Sequence, residues 1–509
     1  NTSFPPTIVE KYALTLVNTS FAPPVPEHYG LTLVNNSLTP SITENYALTL
    51  NNISFPQAIT ENYALTLNNI SFPQAITENY ASTLVNSSIA TPPIYGTGPP
   101  PGDWLNVGDT IGGFLRQGWA GSSVSVNSTG DRVAIGAPSD GTQLGRTYIY
   151  EYNGSSWVKL GGTIATYGRS GSSVSMDSTG DRVAIGAPSQ NGADFTVSQS
   201  GGTSIYEYNG TNWVQLGSTI FGEAELDGSG GSVSLSSDGT RVAIGANGND
   251  GGGSKAGHTR IYEYNGSSWV QLGSDINGGA GDRSGVVRMN SAGNRVAIGS
   301  PTSIEYTSVP GKVRIYEYNG SDWVQLGSDI EGEGENGLLR KLGSSVDINS
   351  TGDRVVIGAP YKNDEAGQVR IYEYNGSDWV QLGSDIDGEY QTINYFGGTT
   401  PVQSGTIFGT SVSMNSTGDK IAIGAPKGNI SNNLPNADSG VNVGRTSIYE
   451  YNGTNWIQVG TNITGHFLGQ GDKAGVSVSM DSTGDRVAIG AYFSDLGDFN
   501  AGRVDVFEI

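Results

Sequence analysis

From about residue 104 to the end of the chain, apolar and polar positions recur in four short β-like runs, typified by "SSVSM", "RVAIGA", "VRIYEY" and "WVQLG". Alternation of this kind, in runs of four to six residues, predicts strands. The first two runs are separated by "STGD" and the last two by "YNGS". The Asn-Gly pair suits a tight hairpin because both central residues tolerate positive φ. The unit recurs seven times, marked by Arg132, Arg182, Arg241, Arg295, Arg354, Lys420 and Arg486, at spacings of 50 to 66 residues. The variation lies in Gly-, Ser- and Asp-rich insertions. Four antiparallel strands repeated at this interval predict propeller blades.

The blade count follows from the ends. The first phrase is present seven times, but "IYEYNG" followed by Trp is complete only six times, and the last repeat stops at "GRVDVFEI". The missing strand lies at the other end, where "DWLNVGDTI" (103–111) matches "DWVQLGSDI" (378–386). Trp104 therefore joins Trp157, Trp213, Trp269, Trp323, Trp379 and Trp456, and Trp119 lies outside the pattern. The expected fold is all-β: a seven-bladed β-propeller of four-stranded blades, spanning 104–509 and closed by its N-terminal strand, which leaves no open blade edge.

The phrase "GSSVSMNSTGD", then "IGAP", then "GxVxIYEY" resembles the FG-GAP repeat, the blade unit of the integrin α-subunit propeller. The resemblance covers 104–509. It implies the same fold, and by analogy a ligand-binding head. Many such blades carry an Asp-rich calcium loop between their first two strands. Here the turn is only "NSTGDR" or "DSTGDR", which offers too few oxygen ligands for a six- to eight-coordinate ion.

Residues 1–95 follow a different rule. A phrase typified by "NISFPQAITENYALTL" recurs with a period of 17. Asn1, Asn18, Asn35, Asn52, Asn69 and Asn86 open the copies, each followed two residues later by Ser while the residue between varies. Each triplet is an N-glycosylation acceptor. Next come Tyr12, Tyr29, Tyr46, Tyr63 and Tyr80, then Leu14, Leu31, Leu48 and Leu65, in an alternating run such as "YALTL". Such a run predicts an extended β-like arm with an apolar stripe. One 17-residue copy cannot bury that stripe alone, so these Tyr and Leu residues are candidate contacts to a partner. A copy laid out straight spans roughly 55 Å, enough for an arm to cross neighbouring subunits. The segment 96–103 is a Pro- and Gly-rich linker.

Composition narrows the chemistry. The 509 residues carry a formal net charge of −22, with 15% charged residues, no Cys and three His. The shortage of Lys and Arg argues against nucleic acid and against anionic membrane surfaces as partners. No run of 18 apolar residues predicts a membrane span. The chain opens at Asn1 without Met, so either a leader has been removed or the sequence continues upstream. Without Cys there are no disulfides and no thiolate metal sites. His28 lies in the arm, and His258 and His466 are expected in loops. Asp131, Asp181, Asp353, Asp419 and Asp485 recur at one blade position, which points to a structural role in each turn. The Tyr pairs, such as Tyr372 and Tyr374, and the blade Trp residues point to packing between blades. Further acceptor triplets open at Asn153, Asn209, Asn265, Asn319, Asn375 and Asn452, at Asn127, Asn349 and Asn415, and at Asn429 and Asn462.

These patterns specify no catalytic constellation, metal or cofactor. The expectation is a secreted, extracellular structural protein rather than an enzyme, a homopolymer bearing covalent glycans whose arm links neighbouring propellers in a filament. The alternative is a cell-surface adhesin or ligand-binding propeller on a glycosylated stalk.

Overall fold

In a computed structural model the chain divides into two compact units, Asn1–Leu105 and Asn106–Ile509. In the first, the structure describes the backbone of short strands between 14 and 89, and Trp104 and Leu105. In the second it describes 106–112, 116–139, 144–192, 197–302, 310–332, 341–393, 402–427, 443–464, 471–495 and 500–509.

The second unit is a seven-bladed β-propeller. Each blade is an antiparallel sheet, in sequence order in the first six. In the second blade, Ser173–Met176 pairs with Arg182–Ala187, then Gly202–Tyr208, then Trp213–Gln215. The outer strand is in two pieces, because Ile220–Phe221 also pairs with Gly202–Tyr208 after an exposed turn. In the sixth blade the outer strand is continuous, Trp456–Thr464, with a register shift between Thr446 and Ile448 of its partner. The ring closes as the Trp count predicts. Leu105–Asn106 and Ile111–Gly112 add to Arg503–Glu508 of the last blade, and Val107 N–H donates to Val506 C=O at 2.7 Å.

The core lies between blades. In the second strand of the first blade, Ala134 presents to the next blade while Val133 and Ile135 face the previous one, and all three are at most 1% exposed. Ala134 and Ile149 pack against Val174, Met176, Val183, Ile185 and Trp213 of the second blade. The small residue on one face and the branched residues on the other let neighbouring sheets approach closely. The closing strand supplies Val107 and Ile111 to the same kind of seam between blades seven and one.

Two recurrent phrases owe their form to this approach. Gly136, in "RVAIGA", sits where a Cβ would come within 2.0 Å of Gly171 C=O in the next blade, and Gly171 has φ +84°. Only glycine fits both demands. Ser123 Oγ donates to that same carbonyl at 2.9 Å, so Gly-x-Ser is a blade-to-blade clasp.

The arm unit shows what its repeat period encodes. Leu14–Val17, Leu31–Val34, Leu48–Asn51, Leu65–Asn68 and Ser82–Val85 form one parallel sheet in that order. Ile42–Asn45, Ile59–Asn62 and Ile76–Asn79 form a second. Ser20–Phe21 with Ser37–Leu38, and Ser71–Phe72 with Ser88–Ile89, make two-stranded pieces. Every pairing joins residue i to residue i+17. Consecutive copies therefore lie side by side as in a β-solenoid, and each advances about 4.8 Å rather than ~55 Å. The expectation of an arm drawn out straight is corrected here. Similar strands in one register pair their backbone groups within the chain, which an isolated extended strand cannot do.

Candidate functional site

Three features carry the repeat's chemistry: the turns at one mouth of the central channel, the wall of that channel, and the arm ladder.

The turn between the first two strands of each blade is built from its own side chains. In the first blade Asn127 Oδ1 accepts Arg132 N–H at 3.0 Å, while Asn127 Nδ2 donates to Asp131 at 2.7 Å and Thr129 Oγ donates to the same carboxylate at 2.7 Å. Burial pushes the Asp131 carboxyl up, but the Thr129 and Asn127 hydrogen bonds and the charge of Arg132 outweigh it and hold it below the usual carboxylate range. Asn349 with Asp353 and Asn415 with Asp419 repeat this geometry. Where the turn Asn is replaced by Asp177 or Asp481, no Nδ2 donor exists. The following carboxylates, Asp181 and Asp485, then pair with Arg132 and Lys420 of the preceding blade. These carboxylates have the structural role that their recurrence predicts.

The Arg and Trp residues that mark the repeat hold blade to blade. Arg241 pairs with Glu263 of its own blade at 2.9 Å, donates to Gly293 C=O of the next at 3.1 Å and lies over the Tyr318 ring. Trp323 Nε1–H donates to Leu272 C=O of the preceding blade at 2.8 Å and packs against Tyr318, ring centroids 5.3 Å apart. The same Trp contact recurs at Trp157, Trp213, Trp269, Trp379 and Trp456. The aromatic residues are packing groups, as expected.

The serine of "NSTGD" joins the blades through its backbone. Ser128 N–H donates to Ser178 C=O, Ser178 to Ser237, Ser237 to Ser291, Ser291 to Ser350, Ser350 to Ser416, Ser416 to Ser482, and Ser482 back to Ser128, at 2.9 to 3.2 Å. This closed circuit of seven bonds lines a depression of about 180 Å³ at one mouth of the channel. Its signal in the sequence is a serine present in all seven turns.

Deeper in the channel a second circuit uses the middle residue of the innermost strand. Ser125 Oγ accepts Met176 N–H, Ser175 accepts Leu235, Ser234 accepts Met289, Ser413 accepts Met480 and Ser479 accepts Val126, at 2.9 to 3.0 Å. Blades four and five break the pattern with Arg288 and Asp347. Asp347 accepts Met414 N–H at 2.8 Å, and Arg288 Nε lies 3.8 Å from it. Burial pushes the Asp347 carboxyl up, opposed by Arg288 and by the Met414 and Ile348 amides. Only 16% of its side chain is accessible, so desolvation dominates. This pair is the one charged departure from the serine pattern among these seven positions. It too was legible in the sequence, as the single "VVRM" and "SVDI" among the "SVSM" variants.

His258 is a correction. It lies on the strand His258–Tyr264 rather than in a loop, 2% exposed. Burial pushes its imidazole down in pKa despite Asp275 and Asp227. It groups with Glu223 and Asp275, but Arg260 pairs with both carboxylates. His28 and His466 lie outside the described residues.

In the arm, Leu14, Leu31, Leu48 and Leu65 fall at one register position on neighbouring strands of the parallel sheet. The structure thus brings together four residues separated by 17 in sequence. Tyr12, Tyr29, Tyr46, Tyr63 and Tyr80, the acceptors Asn1, Asn18, Asn35, Asn52, Asn69 and Asn86, and the linker 96–103 lie outside the described residues.

The fold defines the class: a closed, seven-bladed β-propeller joined in one chain to a ladder of parallel repeats. No family model matches the chain, and no curated protein matches it. Among solved structures it is similar to Kuenenia stuttgartiensis hydrazine synthase, at 12% identity and a TM-score of 0.48, over 79% of this chain and 96% of that chain. No helix among the described residues is long and apolar enough to cross a membrane.

Proposed function

We propose that this chain is a structural subunit of an extracellular glycosylated filament, in which the N-terminal repeats link neighbouring propellers. The observation that carries the proposal is the in-register ladder of the arm. Among the described residues, Leu14–Val17 and Ser82–Val85 each have one strand partner in that sheet, so they flank it as edges. Because each copy pairs with the next by the same register, an edge can accept a copy from another chain in the geometry it already uses within its own. Such a contact is heterologous and does not close on itself, so it propagates. The ring is closed, so the last blade has its fourth strand, and the recurrent polar residues of the propeller are engaged in holding blades together. The period-17 acceptor triplets, Asn1 to Asn86, would place a glycan on every copy.

A second reading is a surface adhesin, in line with the FG-GAP resemblance. The observation in its favour is the Arg288–Asp347 pair, which gives the channel one polar direction that a ligand could recognise.

Negative-stain electron microscopy of the purified protein, intact and cut within 96–103, separates the two. Filaments from the intact chain and single discs from the cut chain are the expected result. Discs from both samples would end the filament proposal and leave the adhesin.

A further inference from the structure

The acceptor triplets of the propeller fall into two structural sets that the sequence does not distinguish. In the first, Asn127, Asn349 and Asn415 are 3 to 4% exposed at the channel mouth. Their Nδ2 groups, the atoms a glycan would join, donate to Asp131, Asp353 and Asp419 at 2.7 Å and to the triplet's own Thr at 3.0 to 3.1 Å. A sugar there would replace one of the two Nδ2 hydrogens, break at least one of these hydrogen bonds and displace the buried wall of the channel mouth.

In the second set, Asn153, Asn209, Asn265, Asn319, Asn375 and Asn452 sit exposed at the tips of the outer hairpins. Each needs its side chain for the turn, but only the oxygen. Asn153 Oδ1 accepts Ser155 N–H at 3.0 Å, Ser156 N–H at 2.9 Å and Ser155 Oγ–H at 2.9 Å. The five relatives repeat the hydroxyl contact at 2.9 to 3.0 Å. Nδ2 makes no hydrogen bond to protein among the described residues. The glycine beside each Asn, for example Gly154, has no atom within 4 Å of the place a Cβ would take. The turn therefore fixes the amide, holds the triplet hydroxyl against it and leaves the nitrogen facing solvent. A few residues on, each of these outer strands exposes an apolar side chain, such as Val158, Val214 and Val324, 49 to 51% exposed. Edge strands with such residues invite edge-to-edge association, and a bulky polar group beside them opposes it.

We infer that the six hairpin-tip asparagines carry N-linked oligosaccharides and that Asn127, Asn349 and Asn415 do not. The inference rests on the extracellular reading above. In the transfer, the amide Nδ2 attacks the anomeric carbon of a lipid diphosphate-linked oligosaccharide. The C–N bond forms, the anomeric C–O bond breaks, the lipid diphosphate leaves, and the amide proton passes to a base of the transferase.

The test is site mapping on the full chain, secreted from a eukaryotic host behind a cleavable leader. Enzymatic deglycosylation in ¹⁸O water, followed by peptide mass spectrometry, marks each occupied Asn as labelled Asp. The expected result is label at all six tip residues and none at Asn127, Asn349 and Asn415. Ser155→Ala keeps both N–H bonds to Asn153 Oδ1, and should remove one glycan from the intact mass. Label at the channel-mouth set, unlabelled tips beside labelled arm residues, an unchanged mass for Ser155→Ala, or no label anywhere each overturns the inference. Filament formation, read separately by microscopy, is untouched by those outcomes.

Discussion

At the scale of single residues, the propeller works by dividing each polar side chain between two duties. Asn127 uses its oxygen for its own turn and its nitrogen to hold Asp131. Arg241 ties its own strand pair and the next blade at once. Arg288 and Asp347 are where this economy fails. Replacing both by serine would restore the pattern in which each innermost strand accepts an amide of the next blade. The expected gain for Arg288→Ser with Asp347→Ser is about 1–2 kcal/mol at neutral pH, read as a higher urea midpoint. The pH dependence has a definite sign. Burial raises the Asp347 carboxyl above its unfolded value near 3.8, so the parent binds more protons folded than unfolded. Its stability contribution is therefore largest in acid and falls as pH rises from the unfolded value through the folded one. The advantage of the double variant should vanish in acid and open with rising pH. An advantage that is constant with pH would mean that Asp347 is not the cause.

At the scale of elements, the closing strand is the seam most exposed to failure. Trp104 to Gly112 must find Arg503–Glu508 across almost four hundred residues of chain, whereas every other outer strand joins its blade through a four-residue turn, as between Tyr208 and Trp213. Ile111→Asp and Ile330→Asp make a controlled pair, because both side chains lie on outer strands at 5 to 6% exposure. Each should cost about 3 kcal/mol or more through an unpaired buried carboxylate. Only Ile111→Asp should release its strand, read as new protease cleavage between 104 and 120. Equal cleavage in both variants, or in neither, would show that the seam is no weaker than a blade interior. The strand itself was legible from one motif match at 103–111, because a blade needs a fourth strand and only that segment had the composition. The serine circuit leaves a fainter trace, a serine in all seven turns, because a backbone hydrogen bond requires no particular side chain and serine reads as an ordinary turn residue.

At the scale of the whole molecule, the charge of −22 bears on the proposed assembly. Like-charged subunits repel over about 30 Å at 10 mM salt but only about 8 Å at 150 mM. Filament growth should therefore speed up at least several-fold between those conditions, followed by light scattering with microscopy at the end point. Faster growth at low salt would show that oppositely charged patches, rather than repeat ladders, join the subunits. The arm matters at this scale because a repeat with translational symmetry has no intrinsic end, whereas the ring of blades closes on itself.

Two periods, seven blades and the exchanged outer strand could be read from the chain alone. Each follows from local rules: alternation for a strand, Asn-Gly for a hairpin, and the need to cover every edge. Pairing could not be read there. The apolar stripe of the arm demanded a partner, but a stripe is equally complementary to its own next copy and to another molecule, and only the i to i+17 register placed that copy alongside. The same holds for the acceptor triplets of the propeller. Asn-Ser-Thr and Asn-Gly-Ser are equivalent as text, and they part only when the fold buries one amide nitrogen against a carboxylate and leaves the other in water.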